Sequence, residues 1–294
     1  MTRYDHFLRL MVLVSMVLGG LVLTAAASIA VALAGGMSIE ALQRGDADAL
    51  GSMSAGMTRL LLAVQHIFLF ILPAIATVWL FHRPAIARPL DLDAAPRPGL
   101  VPLAILFLLA SFPVVNLSYQ LNALVPMPEW ATALESEAEA TLRRILDMPT
   151  TLVFIANLLV IAILPGIGEE ILFRGVVQKH AIGIFRSATA GIWVTSIVFS
   201  AIHFQFEGFL PRLVLGLVLG YLYHWTRNLW VPIAAHAFNN GLQVAIIFAT
   251  GMDVTEFDRQ SSDTLPIWLA LPGALLMYVL YRQLLKRAPD GPAA

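Results

Sequence analysis

The sequence predicts an all-α protein, a polytopic membrane helix bundle of about eight transmembrane helices with both termini in the cytoplasm. Three observations carry that expectation. Of 294 residues, 59% are hydrophobic and only 13% charged, with a mean hydropathy of +0.79; soluble domains sit nearer ~45 to 50% apolar and ~25% charged. Uncharged apolar windows recur at lengths suited to crossing a ~30 Å hydrocarbon layer. The charges between those windows alternate in sign along the chain.

The windows are residues 10–36, 60–81, 99–121, 148–183, 187–206, 211–226, 229–250 and 265–281. The first follows Arg3 and Arg9 and carries an Ala-rich patch at Ala25 to Ala27, but it stays uncharged up to Glu40. That exceeds the ~7 to 15 residues of a signal-peptide core, so an uncleaved span is expected. The fourth window holds Glu169, Glu170 and Arg174 in its second half. The sixth has only fourteen residues between Arg212 and Arg227, short for an untilted span. Residues 88–99, with three prolines, read as a linker. Residues 129–147 are Ala/Glu/Leu-rich and bounded by Pro126, Pro128 and Pro149, which predicts a helix outside the membrane.

Orientation follows from basic residues in short loops. Arg3, Arg9, Arg83, Arg88, Arg97, Lys179, Arg186, Arg227, Arg282, Lys286 and Arg287 fall on one side of an eight-span chain. The opposite loops carry Glu40, Asp46 and Asp48, then Glu129, Glu135, Glu137 and Glu139, then Asp253, Glu256, Asp258 and Asp263; Arg143 and Arg144 are exceptions there. Three regions are expected: N-terminal spans with linker and extramembrane helix (1–147), a helical core (148–250), and a loop, final span and tail (251–294). A net charge of −1 excludes nucleic acid as a partner. Zero cysteines exclude disulfides, thiolate nucleophiles and Cys-ligated metals.

An intramembrane charge costs at least ~2.5 to 3.5 kcal/mol and marks an interior or a wet cavity. Glu170 and Arg174 are four apart on one helix face and read as an internal ion pair. Glu169, about 100° away around that helix, stays free to act as a general base. Two other apolar windows carry polar groups: Phe199-Ser200-Ala201-Ile202-His203, and His236-Ala237-Phe238-Asn239-Asn240, where His236 and Asn240 share a face. At ~1.5 Å rise per residue from the basic ends, Glu169 lies ~21 Å deep and His203 ~22 Å, but His236 only ~10 Å and Asn240 ~16 Å. Tilt, or a bend at Pro165-Gly166, must bring them level.

These residues carry a resemblance. EEILFR matches EExxxR, FSAIH matches FxxxH and HAFNN matches HxxxN, in the order found in the CPBP family, the type II CAAX prenyl endopeptidases and their bacterial relatives, also called the Abi family. The resemblance covers about a third of the chain, residues 152–249. It implies an intramembrane glutamate-dependent endopeptidase in which Glu169 and His203 activate a water while His236 and Asn240 hold the oxyanion. Glu170, Arg174 and Phe199 would support them. It further implies a membrane-associated protein or peptide substrate, lipidated in the eukaryotic members, and no cofactor.

Blander readings stand beside these. The histidines could be satisfied core residues, Asn239 and Asn240 helix-to-helix hydrogen bonders, and the Gly216/Gly220 GxxxG a packing contact. His66, with no motif around it, reads as packing; Trp79, Trp225 and Trp230 read as interfacial anchors. Three functional alternatives remain open. One is a zinc enzyme ligated by Glu169, His203 and His236. The second is a non-enzymatic membrane scaffold or immunity protein, and the third a transporter, disfavoured by the absence of an internal repeat. HExxH, GxGD and in-span GxSx motifs are absent. Sixteen Arg against two Lys, with high Ala and Leu, suggest a bacterium of high genomic G+C, and with the apolar windows the expected location is a bacterial cytoplasmic membrane.

Overall fold

A computed structural model describes residues 1–44, 53–253 and 265–288. Asp46, Asp48, Glu256, Asp258 and Asp263 of the acidic loops lie outside the described residues. The described residues form helices and connecting turns, with no strand among them. The long helices, in order, are α1 (Arg3–Ala34), α2 (Ala55–His82), α3 (Leu100–Asn122), α4 (Glu129–Leu146), α5 (Thr151–Phe185), α6 (Ala188–Ala201), α7 (Phe209–Thr226), α8 (Trp230–Thr250) and α9 (Ala270–Arg287).

Among the described residues, six helices are long and apolar enough to cross a membrane: α1, α2, α3, α5, α8 and the run Ile267–Arg287 that contains α9. The fifth and sixth windows form the shorter α6 and α7. The fifth window was expected to run to residue 206, but α6 stops at Ala201. The reason is local. The His203 ring donates from Nδ1 to the Phe199 carbonyl at 2.7 Å, satisfying an acceptor that a continuing helix would have paired, and Phe204 then turns with φ 51°. The extramembrane helix forms as expected: α4 starts after Pro128 and ends before Asp147.

Apolar side chains on α1, such as Leu18, Val22 and Ile29, are exposed, as a lipid-facing surface requires. Inside, one apolar cluster joins α1, α2, α5 and the 88–92 segment through Leu13, Val78, Phe173 and Leu90. A second joins α3, α7, α8 and α9 through Phe107, Leu219, Val231 and Leu284. Trp225, half-buried one residue before the end of α7, packs against this second cluster between Phe107, Tyr221 and Tyr281.

Two of the long helices are interrupted by π-helical turns: Ile67–Ile71 in α2, and Leu158–Ile163 and Phe173–Gln178 in α5. Pro73 and Pro165 sit just beyond the first two. Proline lacks the N–H that would complete the α-helical ladder, and a π turn is one way to accommodate the gap. Such turns cluster at functional sites.

Candidate functional site

Glycines set the backbone separations around Glu169. A Cβ on Gly166 would lie 2.9 Å from the Ala237 backbone nitrogen, so α5 and α8 touch there at a distance only glycine permits. A Cβ on Gly168 would lie 3.1 Å from an Ile71 side-chain carbon, so the same turn of α5 is pressed against α2. Pro165-Gly166-Ile167-Gly168 thus wedges α5 between two neighbours, one bearing His236 and the other His66.

Glu170 and Arg174 form the expected ion pair, 2.9 Å apart, both fully buried. Arg174 also donates to the Gly216 carbonyl at 3.0 Å, and Gln178 donates to the Gly220 carbonyl at 3.0 Å. The GxxxG of α7 is therefore a close packing contact within the chain whose carbonyls each accept from a buried polar side chain. Glu170 accepts a second bond from His236 Nδ1 at 2.8 Å. A buried ion pair needs such additional hydrogen bonds to offset its desolvation.

Glu169 is 5% exposed and faces the other way. It was expected to be unpaired, but His66 Nε2 lies 3.4 Å from its Oε1, and His236 Nε2 lies 3.9 Å from its Oε2. His66, read from sequence as packing, contacts Glu169 but is not among the residues that line the cavity that Glu169 borders. It precedes the π turn of α2, in the region pressed against Gly168. Its lack of a motif partner in sequence hid it; the one available signal was a histidine beside a proline-interrupted apolar helix.

The three imidazoles share one arrangement. Each donates from Nδ1 to an oxygen: His66 to the Leu62 carbonyl at 2.9 Å, His203 to the Phe199 carbonyl, and His236 to Glu170. Nε2 is thereby the nitrogen left to each site-facing edge. For His66, Nε2 is thus the nitrogen that stands 3.4 Å from Glu169 Oε1.

A cavity of about 420 Å³ is lined by Glu169, His203, His236 and Asn240, with Phe199 and Asn239. The sequence-predicted residues therefore converge, despite their unequal depths along their helices. No direct bond or ion pair joins Glu169 to His203 among the described contacts, and both front the same space. Phe199 packs edge-on against His203 and Phe173 and stacks 4.8 Å from the Arg174 guanidinium, so it divides the cavity from the buried ion pair.

Asn240 is oriented at both ends. Its Oδ1 accepts from Asn239 at 3.1 Å, and its Nδ2 donates to the Ile161 carbonyl at 3.2 Å. Ile161 is four residues before Pro165, so its carbonyl lacks the α-helical N–H donor it would otherwise have, and the carboxamide supplies one. The second Nδ2 hydrogen remains for the cavity.

Leu142 and Leu146 of α4 line the cavity along with Gln205, Gly208 and Arg212. The 202–208 turn is tied to α4 by a 2.6 Å bond from the Glu207 amide to Glu135. Partial burial, together with the Glu135 and Glu139 carboxylates nearby, pushes the Glu207 carboxyl up from its ordinary pKa. Among the described residues no group of three or more His, Asp or Glu side chains is found gathered at metal-binding separations.

Comparison with known proteins agrees with the motifs. Residues 151–242 match the family model described as type II CAAX prenyl endopeptidase Rce1-like. The "Uncharacterized protein YpbD" of Bacillus subtilis is 35% identical over 86 residues, 28% of this chain and 41% of that protein. The "Putative membrane peptidase YdiL" of the same organism is 26% identical over 138 residues, 47% of this chain and 54% of that protein. The chain thus spans about half the length, or less, of these curated relatives. No solved structure gives a significant match. The resemblance read from the three motifs is borne out: the stretch that matches the family model, residues 151–242, contains Glu169, His203, His236 and Asn240.

Proposed function

We propose that this chain is an intramembrane endopeptidase that uses Glu169 as general base and no metal. The observation that carries the reading is the convergence of an acid, two imidazoles and a carboxamide on one cavity inside a bundle of membrane-length helices. The Rce1-like match supports a protease of the CAAX type.

In this reading a water sits between Glu169 and His203 Nε2. Glu169 takes its proton as the oxygen attacks the scissile carbonyl, and returns that proton to the departing amine. The oxyanion develops toward α8, where the free Nδ2–H of Asn240 and a protonated His236 Nε2 donate to it. Glu170 holds the His236 Nδ1 at 2.8 Å, which leaves Nε2 toward Glu169 at 3.9 Å. Glu170 and Arg174 hold His236 in place and touch no substrate. His66, 3.4 Å from Glu169, fixes the rotamer of the base.

The test uses purified protein in detergent with a library of internally quenched peptides, assayed beside Glu169→Gln and with a metal chelator. Cleavage by the unmodified chain, lost in Glu169→Gln and retained with chelator, is expected. Chelator-sensitive cleavage would replace the proposal with the zinc variant. A cellular phenotype that persists in Glu169→Gln with no cleavage would point to a scaffold.

A further inference from the structure

Three helices that are far apart in sequence gather basic side chains at one end of the bundle. There α1 brings His6 and Arg9, α2 brings His82, and α5 brings Lys179 and His180. Two glycines let these helices touch: a Cβ on Gly20 of α1 would run into the Phe68 carbonyl of α2, and a Cβ on Gly183 of α5 would run into the His6 ring. The side chains are then held against one another. Arg9 Nη1 donates to His82 Nε2 at 2.7 Å and its guanidinium lies 4.6 Å from the centre of the Phe81 ring, while the Nδ1 atoms of His6 and His180 stand 3.0 Å apart.

Two acids at this end are already committed. Asp91 meets Lys179 at 2.9 Å and accepts from Tyr223 at 2.5 Å, and Asp5 caps α1 by accepting from the Thr2 amide at 2.7 Å. Asp93 and Arg227, both within electrostatic reach of Lys179, offset one another. Among the described residues Arg9 forms no ion pair. Of the five N–H donors on its guanidinium, the described hydrogen bonds use one. A fixed, half-buried guanidinium of this kind suits an anion from outside the chain.

A pocket of about 40 Å³ lies between these helices, lined by Arg9, His82, Lys179 and His180 together with Val78 and Val176. A single water needs ~10 to 15 Å³, so the space admits one tetrahedral oxyanion and excludes a peptide. Its surroundings favour an oxyanion that carries acyl chains. Phe7, Leu8 and Met11, on either side of Arg9 along α1, are exposed apolar side chains suited to lipid, and basic pockets between transmembrane helices take anionic head groups.

We propose that this pocket binds an anionic phosphate group, that of a lipid headgroup or free phosphate, with Arg9 and Lys179 as its charge partners and His82 holding the guanidinium in place. None of these residues lines the Glu169 cavity, so the site stands whether or not the chain is a peptidase. A bound group bridges α1, α2 and α5 and stabilises the folded chain by mass action.

The test measures binding of dioctanoyl phosphatidylglycerol, dioctanoyl phosphatidylcholine and inorganic phosphate to the purified full chain in detergent. Arg9→Gln is compared with Arg3→Gln, which removes an exposed arginine from the same end and controls for general charge attraction. Phosphatidylglycerol is expected to bind the unmodified chain about tenfold more tightly than phosphatidylcholine, whose choline cancels the phosphate charge, and to raise the unfolding temperature. Arg9→Gln abolishes that preference and Arg3→Gln keeps it. Inorganic phosphate that binds through Arg9, with no preference between the two lipids, supports the pocket and assigns it to free phosphate. If the unmodified chain neither prefers phosphatidylglycerol nor binds phosphate, the proposal is overturned without recourse to any variant. It is overturned equally if Arg9→Gln, shown folded by its unfolding transition, retains the preference, or if Arg3→Gln loses it to the same degree.

Discussion

Glu169 and Glu170 are joined by one peptide bond and belong to different regions of the molecule. Glu170 lies in a packed layer where it meets Arg174 and His236, and Arg174 in turn donates to the Gly216 carbonyl of α7. Glu169 borders the cavity, with imidazoles on two sides and open space on the third. In the packed layer each charge is neutralised by fixed partners, because an unpaired buried charge would unfold the site. At the cavity a carboxylate is held but not consumed by its partners, which leaves it able to move a proton. The difference teaches that the two acids of the motif divide structure from chemistry.

Four substitutions break or sharpen that division. The largest effect is expected for Glu169→Gln: peptidase activity falls by ~10²- to 10⁴-fold, the range of general acid–base catalysis, while thermal unfolding in detergent stays near that of the unmodified chain. Unchanged activity would remove Glu169 from the chemistry. Arg174→Ala comes next and acts on the other region. Leaving Glu170 buried without its partner costs ~3 to 5 kcal/mol, read as a lower unfolding temperature and poor recovery of folded protein. Normal stability with lost activity would merge the two regions.

Asn240→Ala removes one oxyanion donor and is expected to lower kcat by ~10²- to 10³-fold, with peptide KM little changed. An effect confined to KM would place the carboxamide in ground-state binding instead. The smallest effect belongs to His66→Gln, which removes the imidazole 3.4 Å from Glu169 and is expected to lower kcat about tenfold, ~1.4 kcal/mol on the barrier. Because His66 acts through Glu169, the pH profile of kcat should change shape as well. A variant with normal kinetics and reduced stability would return His66 to packing.

Much of this was legible in the chain. The membrane class follows from apolar windows and sparse charge, since lipid forces backbone hydrogen bonds inward and leaves helices as the solution for such windows. The Glu170–Arg174 pair follows from i,i+4 spacing alone. The three motifs name four cavity residues because each places an isolated polar group in an apolar helix, where its presence needs a reason. His66 was not legible: one histidine in one apolar window carries no spacing, and its meaning lies in Gly168, about a hundred residues later in the chain, letting α2 approach Glu169. Nor was the early end of α6, because the competing acceptor is a side-chain contact between His203 and the Phe199 carbonyl.

Sequence by itself determined the solvent, the helical class, the internal ion pair and the residues able to do chemistry, because hydropathy, helical spacing and ionisation are properties of short stretches. Only the tertiary structure decided which nitrogen of each imidazole faces Glu169 and how proline at 165 frees a carbonyl that orients Asn240. Those depend on contacts between helices far apart in the chain, set by where glycine allows two backbones to touch.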